Sequence, residues 1–213
     1  MLAMIAFASL VVYAALTVRF PTETILNTAR GNVGSLTNKS TIAAVLLGLS
    51  GLALHVGYAG AVLLAWRIGR SQQLSALVWG YPIVAGLVLM FIWPVTSTDI
   101  FDYIFRGWMA ANYGANPYTV LPNAYKSDPL FKFIGWPNAP SAYGPLWELM
   151  SARMSALGGL SIRTNILLHK VLALATFLAC GLVIVRIVRE WKPEVELLAA
   201  VIWLWSPLGL WEI

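Results

Sequence analysis

TIAAVLLGLSGLALHVGYAGAVLLAW, residues Thr41 to Trp66, decides the fold. It contains no Asp, Glu, Lys or Arg, and it exceeds the roughly 20 residues that an α-helix needs to cross a bilayer. Lipid offers the backbone no hydrogen-bond partner, so such a stretch must satisfy its own amides as a helix. Four other segments read the same way: Met1 to Val18, Leu74 to Val95, Ile166 to Val185 and Glu196 to Trp211. Met1 to Val18 has no basic n-region and no small-x-small cleavage site before Arg19, so it reads as a helix and not as a signal peptide. Gly48, Gly51, Gly57 and Gly60 lie at spacings that suit close helix packing, or the general tolerance of membrane helices for glycine.

Composition agrees. Hydrophobic residues make up 59% of the 213 residues and charged residues 11%, against about 25% charged in a soluble domain. Mean hydropathy is +0.74. A water-soluble fold could not cover its surface with so few charges. The formal net charge of +5 is dispersed, with no basic run, so no nucleic-acid partner is expected; the excess suits membrane orientation and anionic lipid or phosphate. Cys180 is the single cysteine, which excludes a disulfide framework and reads as a small packing residue. The expected fold is all-α, a multi-pass transmembrane helical bundle with a long extracytoplasmic loop containing surface helices. Residues 1–213 form a single integral membrane domain in this reading. The apolar end at Ile213 suggests the N-terminal part of a longer protein.

Short basic loops set the orientation. Arg67 and Arg70 follow the second segment, and Arg186, Arg189 and Lys192 follow the fourth, so both loops are expected in the cytoplasm. Linkers 19–40 and 96–165 then face outside, although Arg19, Arg30 and Lys39 in the first linker weigh the other way. Gly144 to Leu160 is apolar but carries Glu148 and Arg153, and reads as a helix at the outer surface or dipping into it. Glu148 there suits a helix N-terminus. His55 reads as a packed, hydrogen-bonded histidine. Lys170 reads as a snorkelling cation at the outer end of the fourth span, and Glu212 as an outer-face carboxylate.

The linker 96–165 holds the polar chemistry. Asp99, Asp102, Asp128 and Glu148 fall in it, with the turns Asn116-Pro117-Tyr118, Trp136-Pro137-Asn138 and Tyr143-Gly144-Pro145. Its many aromatic residues suit the membrane–water interface and also stack on sugar rings. Thr96-Ser97-Thr98 can cap a helix over 99–113 that places Asp99, Asp102, Tyr103 and Arg106 on one face. A carboxylate held at an apolar boundary can serve as a general base. Asp99 is the candidate, although it also suits a helix N-terminus. Asp102 at i, i+4 from Arg106 reads first as one half of an exposed ion pair.

The run Thr98-Asp99-Ile100-Phe101-Asp102-Tyr103, then Gly107, Asn116-Pro117-Tyr118, Pro122, Trp136 and Tyr143-Gly144-Pro145-Leu146 resembles the first catalytic loop of GT-C glycosyltransferases. The nearest likeness is to bacterial polyprenol-phosphate-mannose-dependent α-1,6-mannosyltransferases. Trp205-Ser206-Pro207-Leu208 resembles their later Asn-Pro-Leu motif, with Ser206 in place of Asn. The resemblance covers residues 90 to 213. It implies a membrane glycosyltransferase that moves a sugar, mannose by family, from a polyprenyl-phosphate carrier to a glycan or glycolipid acceptor at the outer face of the cell membrane.

Asp99 matches the family's base position. Asp102, Tyr103, Asn116, Tyr118 and Tyr143 would line the substrates, Arg106 and more loosely Lys126 would meet the leaving phosphate, and Glu212 would stand nearby. The resemblance implies no firm cofactor. A divalent metal is possible, because Mg²⁺ needs only one or two carboxylates. The rival reading, a transporter or lipid flippase, would place its ionisable groups near the bilayer midplane, where only His55 is available.

The topology is open to thiol labelling in a Cys180→Ser background. An impermeant reagent on intact cells should label a cysteine at Ser127 and spare one at Ser71. Labelling of position 71 alone would invert the arrangement.

Overall fold

The computed structural model describes residues 1–23, 26, 40–69, 71, 74–94 and 97–213. Arg30, Lys39 and Arg70, used above for orientation, lie outside the described residues, as do Val95 and Thr96. The described chain is all-α: α1 Leu2–Arg19, α2 Thr41–Ile68, α3 Ser75–Leu89, α4 Asp99–Tyr113, α5 Pro145–Gly158, α6 Ile162–Trp191, α7 Glu196–Leu204 and α8 Pro207–Trp211, with short 3-10 turns between α4 and α5 and before α7. Among the described residues, four stretches are long and apolar enough to cross a membrane: α1, α2, α6 and the run Pro193–Trp211. The fold is a helical membrane bundle.

Two expected segments differ in detail. The third span, expected to reach Val95, is helical only over the 15 residues of α3. Its chain then turns into an antiparallel bridge between Pro21 and Ile92, where Trp93 N donates to Phe20 O at 2.8 Å and Thr22 N to Phe91 O at 3.0 Å. The last segment is not one helix. Pro207 has no N–H to continue α7, so the helix restarts as α8 with Ser206 Oγ accepting from Gly209 N at 3.4 Å.

The chain divides into two compact units, 1–96 with 173–213, and 97–172. The first is built on close helix approaches. A Cβ on Gly57 or Gly60 would meet Ile5 at 3.5 or 3.7 Å, and one on Gly51 would meet Trp211 at 3.3 Å, whereas Gly48 faces open space. Three of the four glycines of α2 therefore mark contacts. Trp205 packs at a tilt against Tyr81, 4.4 Å between centroids, and donates to Val78 O, and Tyr58 donates to Ile202 O at 2.7 Å. These indole and phenol bonds anchor helices without exposing a backbone group. Cys180 is exposed and not packed. His55 is exposed too, with Nδ1 2.8 Å from Gly51 O. Both lie on surfaces that are otherwise apolar, because only 11% of the apolar window of α2, and of α6, is buried.

The second unit holds α4 and α5, the segment between them, and the first turns of α6 up to Leu172. Gly107 lets them touch: a Cβ there would lie 2.5 Å from the main-chain oxygen of Ser151. Ser155 Oγ donates to Ile104 O at 2.9 Å across the same seam. The polarity of α5 is inside out. Glu148, Ser151, Ser155 and Gly158 are buried, while Leu146, Leu149 and Leu157 are about 70% exposed. In water the leucines would turn in; small and hydroxyl residues at the seam with leucine outside is the pattern of a helix solvated by lipid.

Gly107→Ala should lower the thermal midpoint of the purified protein by several degrees. The overpacked seam costs about 1–3 kcal/mol, and its contact is backbone that cannot move aside. Gly80→Ala, where nothing lies within 4 Å, should leave the midpoint unchanged or higher. Equal midpoints for the two variants would mean the seam is not close-packed.

Candidate functional site

The site is built within residues 97–172. Ser97 Oγ accepts from Asp99 N at 3.1 Å, so Ser97 satisfies the first turn of α4; Thr98 occupies the cap position without a side-chain bond. Gly114 at φ +62 ends the helix, as the left-handed cap requires. The helix foreseen for 99–113 is present, and it buries Asp102 and Arg106 of the foreseen polar face as well as Phe101, Ile104, Phe105 and Met109.

The unit has four carboxylates, Asp99, Asp102, Asp128 and Glu148. Three are buried and committed. Asp128 accepts from Trp108 Nε1 at 2.8 Å, Tyr113 OH at 2.7 Å and Leu130 N at 2.7 Å, which pins the segment after the first turn back onto α4. Glu148 is buried and accepts from the Ser141 hydroxyl. Burial raises its carboxyl above the usual range, against the Ser141 bond and the Arg106 charge. Asp102 accepts from Gly135 N and Trp136 N, each at 3.2 Å. Burial raises Asp102 as well, opposed by those two N–H groups and by Arg106.

Asp102 and Arg106 lie 3.7 Å apart at 0% and 2% exposure. The ion pair expected at an exposed face is therefore internal. The reason is the loop 135–139, which folds over it. Arg106 Nη2 donates to Trp136 O at 3.2 Å and Ala139 O at 3.0 Å, so the pair clamps this loop by its main chain. Arg106 Nε and Nη1 and Glu148 Oε2 make no hydrogen bond. Glu148, expected to cap a surface helix, does stand in the first turn of α5 but faces inward.

Asp99 differs from the other three: it is half-buried at the start of α4. The Tyr143 hydroxyl interacts with it, and the phenol is pushed far up, first by burial and then by its hydrogen bond to Asp99 and the neighbouring negative charge. Tyr103 joins this corner, edge-on to Tyr143 at 4.6 Å and to Trp147 at 5.1 Å. The structure thus gathers Asp99, Tyr103 and Tyr143. Asn116 and Tyr118 serve the frame: Asn116 Oδ1 accepts from Tyr118 N at 3.0 Å, and Tyr118 OH donates to Tyr143 O at 2.8 Å. Lys126 is exposed. Glu212 belongs to the other unit, exposed after α8. Among the described residues no three of His, Cys, Asp and Glu come together as metal ligands.

Sequence reasoning did not foresee the inward Glu148, the seam serines or the clamp on 135–139. The turn Trp136-Pro137-Asn138 was visible, but nothing in the spacing tied it to α4 thirty residues earlier.

The family model described as alpha-(1->6)-mannopyranosyltransferase, N-terminal domain, matches residues 2–213, and the chain belongs to that MptA_B family. It is thereby a glycosyltransferase of the mannosyltransferase kind. No curated protein and no solved structure matches it.

Glu148 makes stability pH-dependent with a defined sign. Its folded value is raised above the ordinary 4.5, so its contribution is present below that value and is lost as pH climbs through the raised one. The thermal midpoint should fall from pH 4.5 toward 7, and Glu148→Gln should flatten part of that fall. A variant whose midpoint tracks the parent at every pH would show that Glu148 does not titrate in this range.

Proposed function

We propose that this protein transfers mannose from a polyprenyl-phosphate carrier to a glycan or glycolipid acceptor, with Asp99 as general base, on the extracytoplasmic side of a multi-pass membrane domain. One observation carries the assignment of the base. Of the four carboxylates in residues 97–172, only Asp99 is neither buried nor engaged by the protein's own donors beyond the Tyr143 hydroxyl. Asp102, Asp128 and Glu148 would have to abandon structural bonds to act.

The step balances simply. The Asp99 carboxylate takes the proton of the acceptor hydroxyl, whose oxygen bonds the anomeric carbon. The bond from that carbon to the phosphate oxygen breaks, and its electron pair leaves with the lipid phosphate. A cation stabilises the leaving group. Lys126 is exposed for that role, whereas Arg106 has two uncommitted nitrogens but is buried. The inside-out α5 supports a position at the lipid boundary, where a carrier's isoprenoid chain and its sugar head part company. Family membership leaves the transporter reading without support.

Asp99→Asn in the full-length protein should lower turnover by about 10²–10⁴-fold, the usual worth of general-base catalysis, with little change in thermal midpoint. Asp102→Asn should do the reverse. It leaves Arg106 buried without its counter-charge, a change that costs about 3–5 kcal/mol, so its first effect is on folding. Parental transfer rates from both variants, measured with polyprenyl-phosphate mannose, would remove α4 from the chemistry.

A further inference from the structure

We propose that the loop 135–139 is a sugar-binding subsite for the acceptor, with the Trp136 ring as its stacking platform. This rests on the mannosyltransferase reading and adds a contact to it.

Three observations converge. Trp136 is 61% exposed, although a large ring gains most from burial. Its backbone is nonetheless among the most firmly held in the unit. Asp102 accepts from the N–H groups of Gly135 and Trp136, and Arg106 donates to the carbonyls of Trp136 and Ala139. From the other side Asn123 N donates to Pro137 O at 3.0 Å, and the Asn123 amide donates to Asn138. A Cβ on Gly135 would lie 3.0 Å from Asp102 Oδ2, so the carboxylate would have to shift by a few tenths of an ångström to admit one. Two buried ionic side chains therefore hold in one place the backbone that carries an exposed ring, which limits what a ligand must order on binding. Finally, the loop borders an open, shallow concavity of ≈ 360 Å³ lined by Gly135, Trp136, Pro137, Asn138 and Ala139, a surface groove that one sugar ring could lie against.

The chemistry of that concavity fits a pyranose. A sugar ring presents C–H groups on one face, which pack on an indole, and hydroxyls at its rim, which the Asn138 Nδ2 donor can meet, its Oδ1 being taken by Asn123. Asp102 stands one helical turn along α4 from Asp99, so a sugar held by the clamped loop lies on the side of the proposed base. An interfacial tryptophan would need no clamp, and its loop neighbours Gly135 and Asn138 bring no apolar side chain to enter lipid with it.

The full-length protein in nanodiscs, labelled with 5-fluorotryptophan, tests this, with Trp136→Phe assigning the ¹⁹F resonance and α-1,6-mannotriose as probe. Mannotriose should shift the Trp136 resonance and show saturation transfer to its ring protons. Trp136→Ala should weaken binding about tenfold and Trp136→Tyr less, as loss of one aromatic contact implies. Trp136→Ala should also raise the acceptor KM with little change in kcat, the opposite of Asp99→Asn. Three results would overturn the subsite: no saturation transfer to mannotriose, binding unaffected by Trp136→Ala, or broadening of the Trp136 resonance by doxyl lipid with no response to sugar, which makes the ring a membrane anchor. A parental protein that binds mannotriose through Trp136 but transfers no mannose would instead fail the proposed function and leave the subsite standing.

Discussion

The second unit hangs on a buried ion pair one helical turn long. Asp102 and Arg106 leave water to hold a loop that shares no secondary structure with them. Desolvating two charges is costly, and their attraction repays it only when the remaining lone pairs and protons find partners. Here the partners are main-chain groups of Gly135, Trp136 and Ala139. The pair therefore works less as a bond between two side chains than as a two-pronged donor and acceptor for a third party. Removing either prong leaves the other charged and enclosed, which makes the loop and the helix a single object.

That object separates structural from chemical carboxylates. Asp102 and Glu148 are buried acids whose charges are held in check by Arg106 and by N–H or O–H donors. Asp128 spends both oxygens on a ring, a phenol and an amide. The aromatic contacts follow the same division. Phe101 with Phe133 and Phe105 with Phe131 close the inner side, whereas Tyr103, Tyr143 and Trp147 meet around Asp99.

Much of this was legible in the chain and some was not. The apolar runs fixed the helices of the bundle because length and hydropathy are local properties. α4 was legible down to its starting residue, since Asp99, Asp102, Tyr103 and Arg106 repeat with helical period. The short α3 was not, because its end is imposed by a bridge to residues far away in sequence. The depth of Asp102 was misjudged for a related reason: i, i+4 spacing says that two charges can meet, not what lies above them. Glu148 looked like a surface cap because it follows Gly144-Pro145 at a helix start, a position that does not say which way the side chain faces.

The inverted face of α5 bears on how the protein is made. A translocon releases a segment into lipid according to its hydropathy as it emerges, and about 20 apolar residues meet that test. α5 has 14 residues and carries Glu148 and Arg153. Its leucines alone would not admit it. Once α4 presents Gly107 and takes up the serines, the surface left outward is largely hydrocarbon, and the helix can settle at the lipid boundary as a second stage of assembly. Damage at that seam would then register during biogenesis, as a chain synthesised and inserted elsewhere but left with one helix outside its solvent, before any question of enzyme turnover arose.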